Sequence, residues 1–105
     1  MNKARRKELE RIKEDFEDVK SNIESLAERL DELKSDVEDV KDEEETAYDN
    51  LPESLQESER GESMQNAMVS LEEVMDGVDA IMDNLQSAVD GFEDMYSSLD
   101  ETIGC

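Results

Sequence analysis

The sequence predicts an all-α protein made of two long helices joined by an acidic turn. Three observations predict it. Apolar residues recur at alternating steps of three and four along both halves of the chain. No Gly precedes Gly61, and the one Pro, Pro52, lies between the two patterned stretches. Those stretches match in length at about 40 residues each, so the simplest arrangement is an antiparallel helical hairpin. Leu, Ile, Val and Phe supply only 22 of the 105 residues, a composition at the edge of disorder when charge is high. The unbroken periodicity decides for helix.

Helix 1 is expected over about residues 3–42, roughly 60 Å at 1.5 Å per residue. Its heptad places Leu9, Phe16, Ile23, Leu30 and Val37 at a. Ile12, Val19, Leu26, Leu33 and Val40 occupy d. Helix 2 is expected over about residues 61–102. Met64, Leu71, Val78, Leu85, Phe92 and Leu99 stand at a, and Ala67, Val74, Ile81, Ala88 and Met95 at d. A third apolar column stands at e: Met68, Met75, Met82, Val89 and Tyr96. Helix 1 thus has a two-column seam and helix 2 a three-column face. So wide a face packs against more than one neighbour. The e column is therefore expected to stay wet in a single hairpin. It is the candidate apolar face for a homodimer, closing a four-helix bundle or coiled coil, or for a partner protein. The competing reading of the methionines is ordinary bundle core. The g column of helix 2 (Ser63, Ser70, Gly77, Asn84, Gly91, Ser98) holds only small residues, which suits close approach of another backbone.

Residues 43–60 form the joint, with a short helical turn starting at Asn50 or Leu51 ahead of Pro52. Gly61 either ends this turn or lies within helix 2. Leu51 and Leu55 share one face. Arg60, the last basic residue, has two readings. It pairs locally with Glu57 or Asp49, or it joins Tyr48, Leu51 and Leu55 in a recognition tip.

Formal net charge is −21, from 32 acidic and 11 basic residues. It is segregated: residues 61–105 hold 11 acidic groups and no Lys or Arg. Antiparallel packing is expected to set Lys3, Arg5, Arg6, Lys7 and Arg11 beside Asp90, Glu93, Asp94, Asp100 and Glu101. Helix 2 is expected to expose a face without counter-charge, with Glu72, Glu73, Asp76, Asp79, Asp83 and Asp90 as candidate partner-binding groups.

These residues also exclude functions. The chain has no His and a single Cys, Cys105, so neither a Cys/His zinc site nor a His-dependent nucleophile can be assembled. The spacing of a calcium-binding helix–loop–helix is absent. The expectation is a protein that is not an enzyme and takes no cofactor or metal. Nucleic acid is repelled by this charge, so direct binding is not expected. The basic start of the chain precedes no apolar run, and no stretch approaches the ~18 apolar residues of a membrane span. A cytoplasmic protein is expected.

The stretch from Tyr48 to Glu62, Tyr-Asp-Asn-Leu-Pro-Glu-Ser-Leu-Gln-Glu-Ser-Glu-Arg-Gly-Glu, is less repetitive than its flanks. It resembles a motif of small uncharacterised acidic coiled-coil proteins of phages and mobile elements of Gram-positive bacteria. The resemblance covers about residues 44–100 and assigns no residue a role. It implies a phage-type protein acting inside a bacterial cell. Joined to the charge pattern, it gives the first functional expectation: a nucleic-acid mimic that binds a basic, nucleic-acid-handling bacterial protein, such as a defence factor, and inhibits it. The alternative is a self-assembling structural or adaptor protein whose acidity only gives solubility.

Overall fold

A computed structural model describes all 105 residues, and it is all-α. Helix α1 runs Lys3–Asp49, α2 is the single turn Glu53–Gln56, and α3 runs Glu59–Gly104. Asn2 caps α1: its side-chain oxygen accepts the Arg5 backbone N–H at 2.8 Å. Helix α1 does not stop near residue 42. Residues 43–49 contain no Gly or Pro, and Glu and Ala sustain the helix until Pro52 approaches. Helix α3 passes through Gly77 and Gly91 without a break. Gly61 belongs to its first turn rather than ending the turn before it.

The joint is hydrogen-bonded throughout. The Leu55 and Gln56 N–H groups donate to the Pro52 carbonyl at 2.9 and 3.1 Å. The Ser58 hydroxyl donates to the Leu55 carbonyl. The Glu62 N–H returns to the Ser58 carbonyl at 3.0 Å. Gly61 is buried against this turn.

Contacts divide the chain into two compact units. Unit 1 is Met1–Glu28 with Met82–Cys105, and unit 2 is Arg29–Ile81. In unit 2, Lys34 pairs with Asp79 and Lys41 with Glu72, each at 2.7 Å. A step of seven up α1 is thus answered by a step of seven back along α3, so the two stretches run in opposite directions. Unit 1 repeats the pattern with Lys13–Asp100 at 2.5 Å and Lys20–Glu93. There Phe16 meets Phe92 at 6.4 Å between ring centres, and Phe92 meets Tyr96 at 6.1 Å.

The expected seam is corrected in both units. On α1 the a column is half-buried, but Val19, Leu26, Leu33 and Val40 at d are exposed. The second seam column of α1 is e: Lys13, Lys20, Ala27, Lys34, Lys41 and Tyr48. On α3 the seam is likewise a with e, and Met75, at 9 % exposure, is the one buried apolar side chain of the chain. Lysine can serve a seam because its four-carbon stem covers apolar neighbours while its ammonium reaches a carboxylate outside. The four lysine side chains are only 24–27 % exposed.

Candidate functional site

Two kinds of surface compete for the role of site, one charged and one apolar. The charged one begins with the lysine row. Beside it on α1 stands the b column, Glu10, Glu17, Glu24, Asp31, Glu38 and Glu45, which is acidic at every position. On α3 the facing carboxylates are Glu72 and Asp79 in unit 2 and Glu93 and Asp100 in unit 1. Each lysine is held above its ordinary value of 10.5, chiefly by the hydrogen bond to its α3 carboxylate. Carboxylates on α1 add to the shift: Glu17 beside Lys13, Glu24 beside Lys20, Asp31 and Glu38 beside Lys34, Glu45 and Asp42 beside Lys41. Lys13 and Lys20 also stand 5.8 Å from the centre of the Tyr96 ring, a double cation–π contact. Burial pushes the Tyr96 phenol up, and its buried hydroxyl has no hydrogen-bond partner.

These lysines add stability that strong base removes. The folded chain holds their protons more tightly than the unfolded chain does. The contribution is therefore full below 10.5 and is lost as pH rises through the elevated values. Tyr96 acts in the same direction. Urea midpoints measured from about pH 8 to about pH 12 are expected to fall only in the upper part of that range. Replacing all four lysines (Lys13→Gln, Lys20→Gln, Lys34→Gln, Lys41→Gln) is expected to flatten most of that fall.

The lysine row revises the expected acidic face. Glu72 and Asp79 are neutralised within the chain by Lys41 and Lys34, and are not a face without counter-charge. Asp90 accepts a hydrogen bond from the Gln86 side chain at 3.0 Å. Glu73, Asp76 and Asp83 are exposed and form no ion pair. The basic start of the chain is not spent on α3 either. Arg11 pairs within α1, with Glu8 and Asp15, and the Glu8 carboxyl is lowered by the Arg11 hydrogen bond. Lys3, Arg5, Arg6 and Lys7 form no ion pairs; Asp100 and Glu93 on α3 are taken by Lys13 and Lys20 instead.

The apolar expectation changes more. Met68, Met75, Met82, Val89 and Tyr96 are half-buried or buried in the seam of their units, so they are not a face left for a second copy. The outward apolar residues are the d columns instead. In unit 2 they are Leu33, Val40, Val74 and Ile81, at 40–52 % exposure. In unit 1 they are Val19, Leu26 and Met95, at 40–58 %. The close approach expected at the small g column is not made within the chain: a Cβ built on Gly77 or Gly91 meets nothing within 4 Å.

At the joint, Tyr48 is half-buried and tied down. Its backbone carbonyl accepts from the Gln56 side chain at 3.0 Å, and its hydroxyl from that of Gln65 at 2.9 Å. Leu51 is half-buried, and Leu55 is 39 % exposed. Arg60 is exposed and makes no ion pair with Glu57 or Asp49. A shallow groove in unit 1 is lined by Glu10, Lys13, Glu14, Glu17, Asp100 and Ile103, so it too is part of the charged surface. Comparison with known protein families, with curated proteins and with solved structures gave no match.

Proposed function

We propose that the protein is a non-enzymatic interaction protein, an antiparallel helical hairpin whose carboxylate-covered surface binds a basic bacterial protein. The observation that carries this reading is the size of the charge that remains after internal pairing. Solubility of a small domain asks for a net charge of magnitude about 2–8. This chain carries −21. Excess charge of one sign costs stability through self-repulsion, so it is read as a device for steering a cationic partner. A groove that handles nucleic acid is the class of basic surface it fits. The resemblance of the joint supports a phage-type protein that occupies such a groove in the host cell, as a nucleic-acid mimic directed at a defence factor.

The α3 carboxylates left unpaired carry the test. The triple variant Glu73→Lys, Asp76→Lys, Asp83→Lys and the parent chain serve as tagged baits in bacterial lysate. The parent is expected to retain a discrete nucleic-acid-binding protein at low salt and to release it at high salt. The variant is expected to retain about tenfold less. Equal retention by both baits contradicts the reading.

The outward d columns favour a second reading, in which the hairpin pairs with another copy into a four-helix bundle and acts as an adaptor. The two readings differ in which surface matters, so apolar substitutions at d separate them from charge substitutions on α3.

A further inference from the structure

We propose that the outward d strip of unit 2 seats a cationic amphipathic helix of the partner, a placement that rests on the basic-partner reading above. The strip is built within one unit. Lys34–Asp79 and Lys41–Glu72 fix the register of its two helix stretches, which brings Val40 level with Val74 and Leu33 level with Ile81. The stretches run in opposite directions and share a seam at a and e. Both d columns therefore fall on the side of the seam away from the lysine row. All four side chains are exposed, at 40–52 %, while Val37, Val78 and Met75 in the seam are half-buried or buried.

The shape of the strip suits a helix. Leu33 to Val40 is one heptad, about 10 Å along the axis. That length matches two turns of an apolar face spaced i, i+3, i+4 and i+7, the pattern of a helix laid in a groove. One border of the strip is low. Gly77 stands three residues after Val74 and four before Ile81, and a Cβ built on it meets nothing within 4 Å. A second backbone can approach the strip from that side.

Charge selects the occupant. Unit 2 holds 18 acidic and 4 basic residues. Arg29, Lys34 and Lys41 are each spent on one carboxylate, of Glu32, Asp79 and Glu72. The carboxylates that border the strip have no such partner. Asp36 stands three residues after Leu33 and four before Val40, and Glu43 three after Val40, so both flank the strip on α1. Glu73, exposed and four residues before Gly77, lies beyond the low border on α3. An apolar floor between carboxylates complements a helix with one apolar face and Lys or Arg along its borders. An extended cationic segment brings the charge but no face to cover four apolar side chains. A second copy of this chain brings carboxylates to the same borders, so charge opposes it.

The test uses the full chain and two peptides of about 15 residues with the same Leu and Lys content. In one, leucines at i, i+3, i+4 and i+7 make a single face; in the other the order is shuffled so that no face forms. Fluorescence anisotropy at about 0.15 M salt is expected to show the faced peptide binding about tenfold tighter or more. Leu33→Gln with Ile81→Gln is expected to remove that preference. Asp36→Asn with Glu43→Gln is expected to weaken the faced peptide about fivefold. Thiol labelling locates the seat without altering the rest of the strip. On a Cys105→Ser background, the faced peptide is expected to slow labelling of Val74→Cys about tenfold. Labelling of Val69→Cys, 59 % exposed on the opposite side of α3, is expected to stay unchanged. Equal affinity for the two peptides, or equal protection at positions 69 and 74, overturns the strip as the seat and leaves the basic-partner reading to its own lysate test. Binding of neither peptide overturns the seat as well. Light scattering without peptide is expected to give the single-chain mass. Twice that mass, lost in the Leu33→Gln, Ile81→Gln variant, gives the strip to a second copy and overturns the proposal.

Discussion

Gly61→Ala is expected to destabilise the protein by more than about 3 kcal/mol, a fall in Tm of about 12 °C or more. A Cβ at this position would overlap the Gln56 carbonyl oxygen, and would lie 2.5 Å from its carbon and 2.7 Å from its Cα. All three are backbone atoms, so no side chain can turn aside. The clash is relieved only by moving α2 off the first turn of α3, which breaks the hydrogen bonds around Pro52 and Ser58. The glycine is required by contact and not by an unusual dihedral, since no residue of the chain has positive φ. Thermal unfolding followed by circular dichroism measures the effect. A shift below about 4 °C would mean the joint is looser than described.

Met75→Ala is expected to cost about 2–3 kcal/mol, the usual loss for a buried methionine truncated to alanine. Met75 is the most deeply packed apolar side chain, at 9 % exposure, and the seam around it is thin, so little else compensates. Val69→Ala is the control. Val69 is 59 % exposed and outside the a, d and e columns, and the change is expected to stay within about 0.5 kcal/mol. Both are read from urea midpoints at one protein concentration, because association would otherwise shift the values. Equal midpoints for the two variants would place Met75 outside the packed seam.

Much of the helical content was legible in the heptads. The rotation of each helix about its axis was not. Three apolar columns on α3 permit a seam at a with d or at a with e, and these differ by a modest turn of the helix. Apolar counting favours d on α1, where e is mostly lysine. The ion pairs decide otherwise: lysines at four of the six e positions of α1 face carboxylates at matching steps on α3. That spacing was present in the sequence. The antiparallel charge pairing expected from the sequence uses only the cations of residues 3–11, and so leaves Glu72 and Asp79 without the counter-charge that Lys41 and Lys34 supply. Helix α1 ends at Asp49 and not near residue 42: a run of glutamates reads as a linker by charge, although glutamate is a good helix former. The Asn2 cap lies outside the patterned stretch, which begins only at Leu9.

Which apolar column closes the chain on itself, and which is left for a partner, determines the rest of the functional reading. Thiol labelling at two adjacent positions of unit 2 tests this most directly. On a Cys105→Ser background, Val74→Cys probes d and Met75→Cys probes e. At high dilution the thiol at position 74 is expected to react about as fast as a free thiol, and the thiol at position 75 at least tenfold slower, in line with ~50 % and 9 % exposure. Faster labelling at position 75 than at position 74 would contradict the seam at a and e, and return the methionine column to the outside.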